Sequence, residues 1–287
     1  MTRVVYVNGQ YVPYAQAAVH AEDRGFQFAD AVYEVCEVKG GRLVDEARHM
    51  QRLRRSLDEL KIPQPMQPGA WSRVLRETIR RNRVGDGVLY LQVSRGAGPR
   101  DFLFPSGEVL PTVVCLARNV SSRRLEAAAE VGIAVRTMPD IRWGRCDIKT
   151  VMLLPAALAK EAARKDGAKE AWFVDDQSFI TEGASSNAWI VNKDGRLVTR
   201  QIDNNILRGV TRTTLIDVLK RAGIEFIERP FTVEEAKNAR EAFVTSATNI
   251  VMPVVRIDDH PIGNGAPGLL AQRLRTEFHG SAEWAAT

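Results

Sequence analysis

The chain has 287 residues, 45% of them hydrophobic, enough to bury one large core or two smaller ones. Its formal net charge of +5 comes from basic and acidic residues that interleave along most of the chain, which argues against a nucleic-acid surface. No apolar run could span a bilayer, and the first residues lack the layout of a secretory signal. We therefore predict a cytoplasmic protein with no nucleic-acid or membrane partner.

The cysteines and histidines do not predict a metal site. The chain has three cysteines and four histidines, scattered without the spacing of a zinc site or a disulfide framework. We expect buried, reduced thiols and no bound metal.

The first half of the chain predicts a sheet with two helices. Asn8 and Gly9 supply the positive-φ residues of a two-residue turn, so RVVYVNGQYVP is predicted as a β-hairpin. VYEVCEV alternates apolar and polar residues as a strand does. Two helices, one opened by Asp45 and one from about Pro68 to Asn82, precede the strands GVLYLQVSRG and LPTVVCLA.

A short polar stretch near Asn119 predicts a domain boundary. We assign 1–119 to a smaller α/β domain, 120–124 to a linker and 125–287 to a larger C-terminal domain. In this second domain a helix from about Val151 to Lys165 leads into the strands EAWFVDD, FITEG, NAWIVN and RLVTR. Proline is tolerated only in the first turn of a helix, so Pro155 favours a start later than Val151.

The last third predicts three helices and one strand. A helix over Thr211–Arg221 ends at Gly223, and Thr232 with Glu235 fits a capping box for a further short helix. The strand EAFVTSATNI and a helix from about Pro267 to Phe278 complete the chain.

One lysine has a setting that favours chemistry. Lys149 lies between a strand-like stretch and a helix start in DIRWGRCDIKT, beside Arg142 and Arg145. Neighbouring cations lower the proton affinity of a lysine and make its amine a usable nucleophile towards an aldehyde. Most lysines are exposed point charges, so an ordinary surface lysine is the alternative.

Two segments are candidates for binding an anion. In NNILRGVTRTTL a glycine-containing loop delivers Val210 and Thr211 to a helix N-terminus, where unpaired N–H groups and the helix dipole favour phosphate. An ordinary capped helix is the alternative. The segment TSATN follows a strand, and its small and hydroxyl residues either surround an anion or turn a corner.

Arg52 and Glu182 are weaker candidates. Arg52 is one position away from the apolar stripe of its helix, where a guanidinium could clamp a phosphate with two hydrogen bonds. Glu182 follows a strand in ITEGASSN, where a carboxylate can be buried beside a heterocycle nitrogen. A surface arginine and a turn residue at a strand edge are the alternatives.

Together and in this order, these motifs resemble the fold-type-IV pyridoxal-phosphate enzymes, and the D-amino-acid transaminase branch in particular. The resemblance covers nearly the whole chain, through EDRGFQFADAVYEV, HMQRL, YLQVSRGAGPR, DIRWGRCDIK, ITEGASSN, ILRGVTR and VTSATNIVMPVVRID. The stretch DIRWGRCDIK and the pairing of VYEV with GPR favour the D-amino-acid branch. The resemblance implies a two-domain α+β fold with the active site at the domain and subunit interface of a homodimer.

The resemblance also implies a role for each candidate residue. Lys149 would be the Schiff-base lysine and general acid/base, Glu182 the partner of the pyridine nitrogen, and Arg52 the principal phosphate ligand of pyridoxal 5'-phosphate. The other cofactor-binding residues would be Leu207, Val210, Thr211, Ser246 and Ala247. Tyr33 and Arg100 would bind the substrate α-carboxylate, with Arg100 reaching in from the neighbouring subunit.

Two positions depart from the family pattern. A histidine usually stands two places after Arg100, and Phe102 stands there in this chain, which removes a carboxylate hydrogen bond of about 1.5–3 kcal/mol. Arg24 is a candidate to compensate for it. Ala247 stands where relatives often carry threonine, so backbone N–H groups or Thr248 are expected to serve the phosphate.

The predicted activity is transfer of an amino group from D-alanine to 2-oxoglutarate, forming pyruvate and D-glutamate. Because Phe102 offers no N–H group, (R)-amine or broad-specificity transamination is the first alternative. Branched-chain L-amino acid transamination and aminodeoxychorismate lyase activity share the same cofactor residues and remain open. A non-catalytic binding protein is the alternative from another class, which the presence of Lys149 disfavours.

Overall fold

A computed structural model describes residues 3–284 and divides them into two compact units. The first unit contains residues 3–122, the segment Ile148–Met152 and residues 283–284. The second contains Arg123–Asp147 and Leu153–Ala282. Both units combine helices with largely antiparallel sheets, so the predicted α+β class is confirmed.

The first unit is built on a six-stranded antiparallel sheet in the order β2-β1-β6-β5-β3-β4. Its strands are β1 (Val4–Val7), β2 (Gln10–Pro13), β3 (Ala31–Lys39), β4 (Arg42–Leu43), β5 (Gly87–Ser94) and β6 (Thr112–Asn119). The hairpin between β1 and β2 turns at Asn8 and Gly9, with φ of 44° and 93°. Both values are positive, which confirms the turn predicted from this residue pair.

Three α-helices belong to this unit: α1 (Arg24–Phe28), α2 (Glu46–Glu59) and α3 (Pro68–Asn82), with a short 3₁₀ helix at Tyr14–Gln16. Helix α2 buries Leu53 and Leu57 and packs on β3, whereas α3 packs on β6 and β1. Both helices begin where the sequence predicted, and Pro68 is tolerated because the first helical N–H group needs no partner.

The second unit is built on a nine-stranded mixed sheet in the order β12-β11-β10-β13-β14-β7-β8-β9, with β15 paired to β14. Its strands are β7 (Ile133–Pro139), β8 (Glu170–Val174), β9 (Ile180–Gly183), β10 (Asn187–Val191), β11 (Leu197–Thr199), β12 (Phe226–Glu228), β13 (Glu241–Ser246), β14 (Ile250–Ile257) and β15 (His260–Pro261). The pairs β7/β8, β7/β14 and β11/β12 are parallel, and the others are antiparallel.

Five helices accompany this sheet: α4 (Ser122–Val131), α5 (Leu154–Lys165), α6 (Val210–Arg221), α7 (Val233–Lys237) and α8 (Leu269–Phe278). Helix α5 starts later than Val151, and Pro155 lies in its first turn as predicted. The Thr232 hydroxyl caps α7 by accepting a bond from the Glu235 N–H group. The Glu235 carboxylate binds Arg229 instead, so only half of the predicted capping box forms.

Three features differ from the sequence-based expectations. Helix α4 begins at Ser122, inside the stretch predicted as a linker, because RRLEAAAEV is rich in strong helix formers. The predicted strand EAFVTSATNI ends at Ser246, and the chain turns before β14 begins at Ile250, whose φ is 60°. The segment Ile148–Met152 belongs to the first unit, whereas we had assigned it to the C-terminal domain. No helix within residues 3–284 is long and apolar enough to cross a membrane.

Candidate active site

Lys149 is held beside the start of β3 by backbone hydrogen bonds. The Tyr33 N–H group donates to the Lys149 carbonyl oxygen at 3.0 Å, and the Val151 N–H group donates to the Ala31 carbonyl oxygen at 3.1 Å. Between them, Val32 and Thr150 form an isolated antiparallel bridge. This pairing explains why the short segment around Lys149 belongs to the first unit.

The half-buried Lys149 amine faces an aromatic ring. Its Nζ lies 4.1 Å from the centroid of the Tyr33 ring, a distance at which a cation is attracted to the ring face. Tyr33 in turn stacks on Tyr90, with 5.7 Å between the ring centroids. The structure therefore brings together the predicted lysine and one of the two predicted carboxylate-binding residues.

Arg52 is held by a buried carboxylate that sequence reasoning missed. Its Nε and Nη2 donate to the two carboxylate oxygens of Glu34 at 2.8 and 2.7 Å, and His49 Nδ1 lies 2.7 Å from Glu34 Oε2. The Glu34 side chain is fully buried, and that of Arg52 is 11% exposed. The fork geometry fixes the plane of the guanidinium.

The charges in this group stabilise each other. Burial raises the pKa of Glu34, but the charge of Arg52 and the hydrogen bonds from Arg52 and His49 outweigh burial and lower the pKa to about 2. Burial lowers the pKa of Arg52, and the Glu34 carboxylate more than reverses this effect. Both groups are therefore ionised at neutral pH.

A signal for Glu34 was present in the sequence. The side chains of a strand alternate between its two faces, so Glu34 shares a face with Val32, Cys36 and Val38. All four are buried. An acidic residue in an otherwise apolar row predicts a buried carboxylate with a cationic partner, and Arg52 on the following helix is that partner.

Glu182 is buried in the second unit and accepts hydrogen bonds from Arg142, Leu207 and Asn187. Arg142 Nη1 donates to Oε1 at 2.6 Å, the Leu207 N–H group donates to Oε1 at 3.1 Å, and Asn187 Nδ2 donates to Oε2 at 3.0 Å. Asn187 Nδ2 also donates to the Leu207 carbonyl oxygen at 2.9 Å. The structure therefore joins the predicted Glu182 and Leu207, and it adds two donors that were not predicted in this role.

Arg142 links Glu182 to a second carboxylate. Its Nε and Nη2 donate to the Asp140 carboxylate at 2.9 and 2.8 Å, and its guanidinium lies 4.5 Å from the centroid of the Phe173 ring. Burial raises the pKa of Asp140, but the hydrogen bonds and charge of Arg142 lower it below its ordinary value. Arg145, the other arginine near Lys149 in sequence, donates to the Asp147 carboxylate. Both neighbouring cations therefore have carboxylate partners of their own.

The N-terminus of α6 has the features of an anion site. Its N-cap residue is Gly209, so no side chain caps the first N–H groups, and Val210 and Thr211 are buried in the first turn. A Cβ atom at position 209 would lie 2.1 Å from Asn187 Oδ1, so any other residue there would displace the Asn187 amide. The backbone N–H groups and dipole of this helix end favour a phosphate.

Ser246 and Ala247 lie at the turn that follows β13. The Ser246 hydroxyl oxygen accepts a bond from the Asn249 N–H group at 3.2 Å and lies 3.2 Å from the Thr248 hydroxyl oxygen. Ser246 and Ala247 are half-buried. The segment TSATN therefore turns a corner, one of its two expected roles.

Arg100 is exposed on the long loop between β5 and β6. Its guanidinium lies 5.3 Å from the centroid of the Phe28 ring and 6.0 Å from that of Phe102. Phe102 is 81% exposed, and its ring meets the Phe28 ring edge to face. Arg24, the proposed compensating cation, is only 3% exposed and is bound to Asp30 and to loop carbonyl groups. Its guanidinium is thus already engaged within the protein.

Known proteins resemble this chain along nearly its whole length. The family model for class IV amino-transferases matches residues 31–257. A D-alanine aminotransferase from Staphylococcus haemolyticus is 38% identical over 279 residues, covering 97% of each chain. Among solved structures, the branched-chain amino acid aminotransferase of Escherichia coli has a TM-score of 0.88 at 24% identity, covering 98% of this chain and 94% of the other. A hypothetical aminotransferase from Mycobacterium tuberculosis in a PLP-bound form has a TM-score of 0.84 at 22% identity, covering 97% and 98%.

Proposed function

This chain belongs to the class IV aminotransferases, and from that premise we propose that it transfers the amino group of D-amino acids. The observation that carries the proposal is the identity of 35–38% to D-alanine aminotransferases over nearly the full chain. The solved branched-chain enzymes are 24% identical or less and support the fold alone.

Pyridoxal 5'-phosphate is the cofactor of this enzyme. Two features of the chain fit the group. The α6 N-terminus starts at a glycine where a Cβ would displace the Asn187 amide, and the bare backbone there suits a phosphate in contact with N–H groups. Glu182 is buried, and its carboxylate suits a protonated ring nitrogen.

We assign the cofactor-holding roles as the resemblance implied. Lys149 carries the cofactor covalently, Glu182 pairs with its ring nitrogen, and Arg52 binds its phosphate. Further contacts come from Leu207, Val210, Thr211, Ser246 and Ala247. Arg142 and Asn187 hold Glu182 in place, and Glu34 orients Arg52 by its two hydrogen bonds.

Different residues of the chain then carry out different parts of the reaction. The bound cofactor supplies a ring that withdraws electrons from the substrate Cα. Once the substrate amine has displaced it, Lys149 Nζ would move the proton from the substrate Cα to the cofactor, so the lysine acts as both anchor and general acid/base. The Glu182 carboxylate would keep the ring nitrogen protonated, which favours electron withdrawal. Tyr33 and Arg100 bind the substrate α-carboxylate and orient Cα towards Lys149.

The proposed substrates are D-alanine and 2-oxoglutarate, converted to pyruvate and D-glutamate. We further propose a homodimer in the cytoplasm, in which Arg100 serves the active site of the neighbouring subunit. The exposed apolar side chains on its loop, which include Phe102 at 81% and Leu103 at 75%, support an assembly that covers them.

A second candidate is transamination of (R)-amines that lack a carboxylate. The observation that favours it is Phe102, whose exposed ring offers apolar surface beside Arg100 and no hydrogen-bond donor. Branched-chain L-amino acids and the lyase reaction have no comparable support from this chain.

The visible absorption spectrum of the purified enzyme tests the proposal. D-Alanine, L-leucine and (R)-1-phenylethylamine are added in separate cuvettes without a keto acid. We expect the cofactor band to bleach with D-alanine and not with L-leucine. Bleaching with L-leucine alone would indicate a branched-chain amino acid aminotransferase. Bleaching with the (R)-amine alone would indicate an (R)-amine transaminase, the second candidate. The absence of any cofactor band would contradict both.

A further inference from the structure

Asp30 lies between α1 and β3, and two buried arginines share its carboxylate. Arg24 Nε donates to Asp30 Oδ2 at 2.9 Å, and Arg95 Nε donates to the same oxygen at 2.7 Å. Arg95 Nη2 donates to the other oxygen at 3.0 Å. Arg24 and Arg95, here called the buried arginine pair, are only 3% and 7% exposed.

The buried arginine pair ties the carboxylate to two separate stretches of backbone. Arg24 Nη1 donates to the carbonyl oxygens of Asp101 and Leu103, at 2.7 and 3.3 Å. Arg95 donates to the carbonyl oxygens of Leu60 and Lys61, at 2.7 and 2.9 Å, where α2 ends. The loop after Arg100 is therefore attached to the body of the first unit through Asp30.

Aromatic rings reinforce the attachment. The Arg95 guanidinium lies 3.7 Å from the centroid of the Phe104 ring. The Phe28 ring contacts two guanidinium groups, that of Arg24 at 4.6 Å and that of Arg100 at 5.3 Å. A displacement of Arg24 would disturb both the Asp101 carbonyl, which follows Arg100 in the chain, and the Phe28 ring, which contacts the Arg100 guanidinium.

Asp30 supplies the negative charge that holds the two buried arginines close together. Two guanidinium groups approach one carboxylate oxygen, so the two cations are close together and little exposed to water. Without the negative charge the two guanidinium groups repel each other at low effective dielectric, and within residues 3–284 neither lies within hydrogen-bonding distance of another carboxylate.

We propose that Asp30 is a positioning residue that acts through the buried arginine pair on the loop carrying Arg100. It sets the placement of Arg100 and therefore the affinity for the substrate carboxylate. The inference rests on the proposed function, in which Arg100 binds that carboxylate.

A double-mutant cycle in the cofactor-loaded enzyme tests the inference. The variants are Asp30→Asn, Arg100→Ala and the two combined, and KM and kcat for D-alanine are measured for each. Glu108→Gln is the matched control, because it makes the same carboxylate-to-amide change at an exposed position of the same loop. We expect Asp30→Asn to raise KM about tenfold and to change kcat less than about threefold. The reason is that the substrate carboxylate is bound less tightly to the same extent in the ground state and in the transition state.

The coupling decides whether Asp30 acts through Arg100. In the Arg100→Ala background, we expect Asp30→Asn to have no further effect on KM. An equal effect in both backgrounds, an unchanged KM with a lowered melting temperature, or loss of the oligomer would each overturn the inference. If Arg100→Ala itself leaves KM unchanged, the carboxylate role of Arg100 in the proposed function fails, and the inference fails with it.

Arg24→Lys covers the case in which Asp30→Asn does not fold. Lysine keeps the positive charge beside Asp30 but cannot reach both loop carbonyl oxygens as the guanidinium does. We expect a KM for D-alanine raised about fivefold, with an unchanged cofactor spectrum as the sign of an intact fold and cofactor site. A KM equal to that of the unmodified enzyme would show that attachment of the loop does not control substrate affinity.

Discussion

Glu34 and Arg52 are joined by two hydrogen bonds, at 2.8 and 2.7 Å, between a fully buried carboxylate on β3 and a guanidinium on α2. His49, one turn before Arg52, lies against the same carboxylate. The group places a fixed positive charge on the segment HMQRL that the proposed function assigns to the cofactor phosphate. The ionisation of Glu34 and the roles proposed for Lys149, Glu182 and Phe102 lead to four predictions.

The first prediction concerns stability against pH. Glu34→Gln leaves Arg52 and His49 without their carboxylate, and we expect a loss of about 3–5 kcal/mol in the free energy of unfolding at pH 7. The pKa of Glu34 is lowered from 4.5 to about 2 in the folded state, so its stabilising effect is complete above pH 4.5 and disappears as the pH falls towards 2. Urea unfolding from pH 7 to pH 3 measures the difference between the two proteins, which should narrow below pH 4.5.

Glu37→Gln is the control for this experiment, because Glu37 lies on the other face of the same strand and is partly exposed. We expect it to change the free energy of unfolding by less than about 1 kcal/mol. A Glu34→Gln deficit that widens as the pH falls would contradict the depressed pKa.

The second prediction concerns Lys149. Lys149→Ala is expected to fold, because the amine that it removes is half-buried and lies against the face of the Tyr33 ring. Multiple turnover should fall by about a thousandfold or more. Pyruvate formation from D-alanine and 2-oxoglutarate measures the loss. Lys165→Ala, at the exposed end of α5, should retain full activity. Normal turnover by Lys149→Ala would refute the assignment of this residue.

The third prediction concerns Glu182. Glutamine at this position presents an NH₂ group to a donor such as Asn187 Nδ2, so a hydrogen bond is lost and the ring nitrogen loses its anionic partner. We expect kcat to fall about 10²–10³-fold while the protein still retains its cofactor. Steady-state kinetics and the visible spectrum measure the two effects, with Glu161→Gln on the exposed face of α5 as the control. Unchanged kcat would remove Glu182 from the catalytic machinery.

The fourth prediction concerns Phe102. Because Arg24 is bound to Asp30 and to loop carbonyl groups, it is not available to replace the missing histidine. Phe102→His should therefore lower KM for D-alanine about 10- to 150-fold, the equivalent of a charge-assisted hydrogen bond of about 1.5–3 kcal/mol. The cost in stability should be small because the side chain is 81% exposed.

(R)-1-Phenylethylamine is the matched control substrate, since it has no carboxylate to accept the new bond. Its KM should stay the same or rise in Phe102→His. An unchanged KM for D-alanine would mean that another group already completes the carboxylate site.

Local patterns predicted most of the secondary structure of this chain. The Asn8-Gly9 turn, helices α2, α3 and α6, and most strands of the two sheets follow from turn residues and from periods of two and 3.6. Strands β12, β14 and β15 were not predicted. Helix α4 was not predicted, because the polar residues at its start were interpreted as a linker between two domains. The sequence around Ala247 was predicted both as the end of a strand and as a turn, because small polar residues fit either conformation.

The sequence by itself determined the family, the cofactor and the identity of the candidate residues, because the order and spacing of the motifs are read directly from the sequence. Only the tertiary structure decided which charges meet. Glu34 and Arg52 are 18 residues apart, and Arg142 and Glu182 are 40 apart. Asp30 and Arg95 are 65 apart. A buried charge is stable only with a partner, and the partner is chosen by the strand register and helix packing that bring distant residues into contact, which no local pattern records.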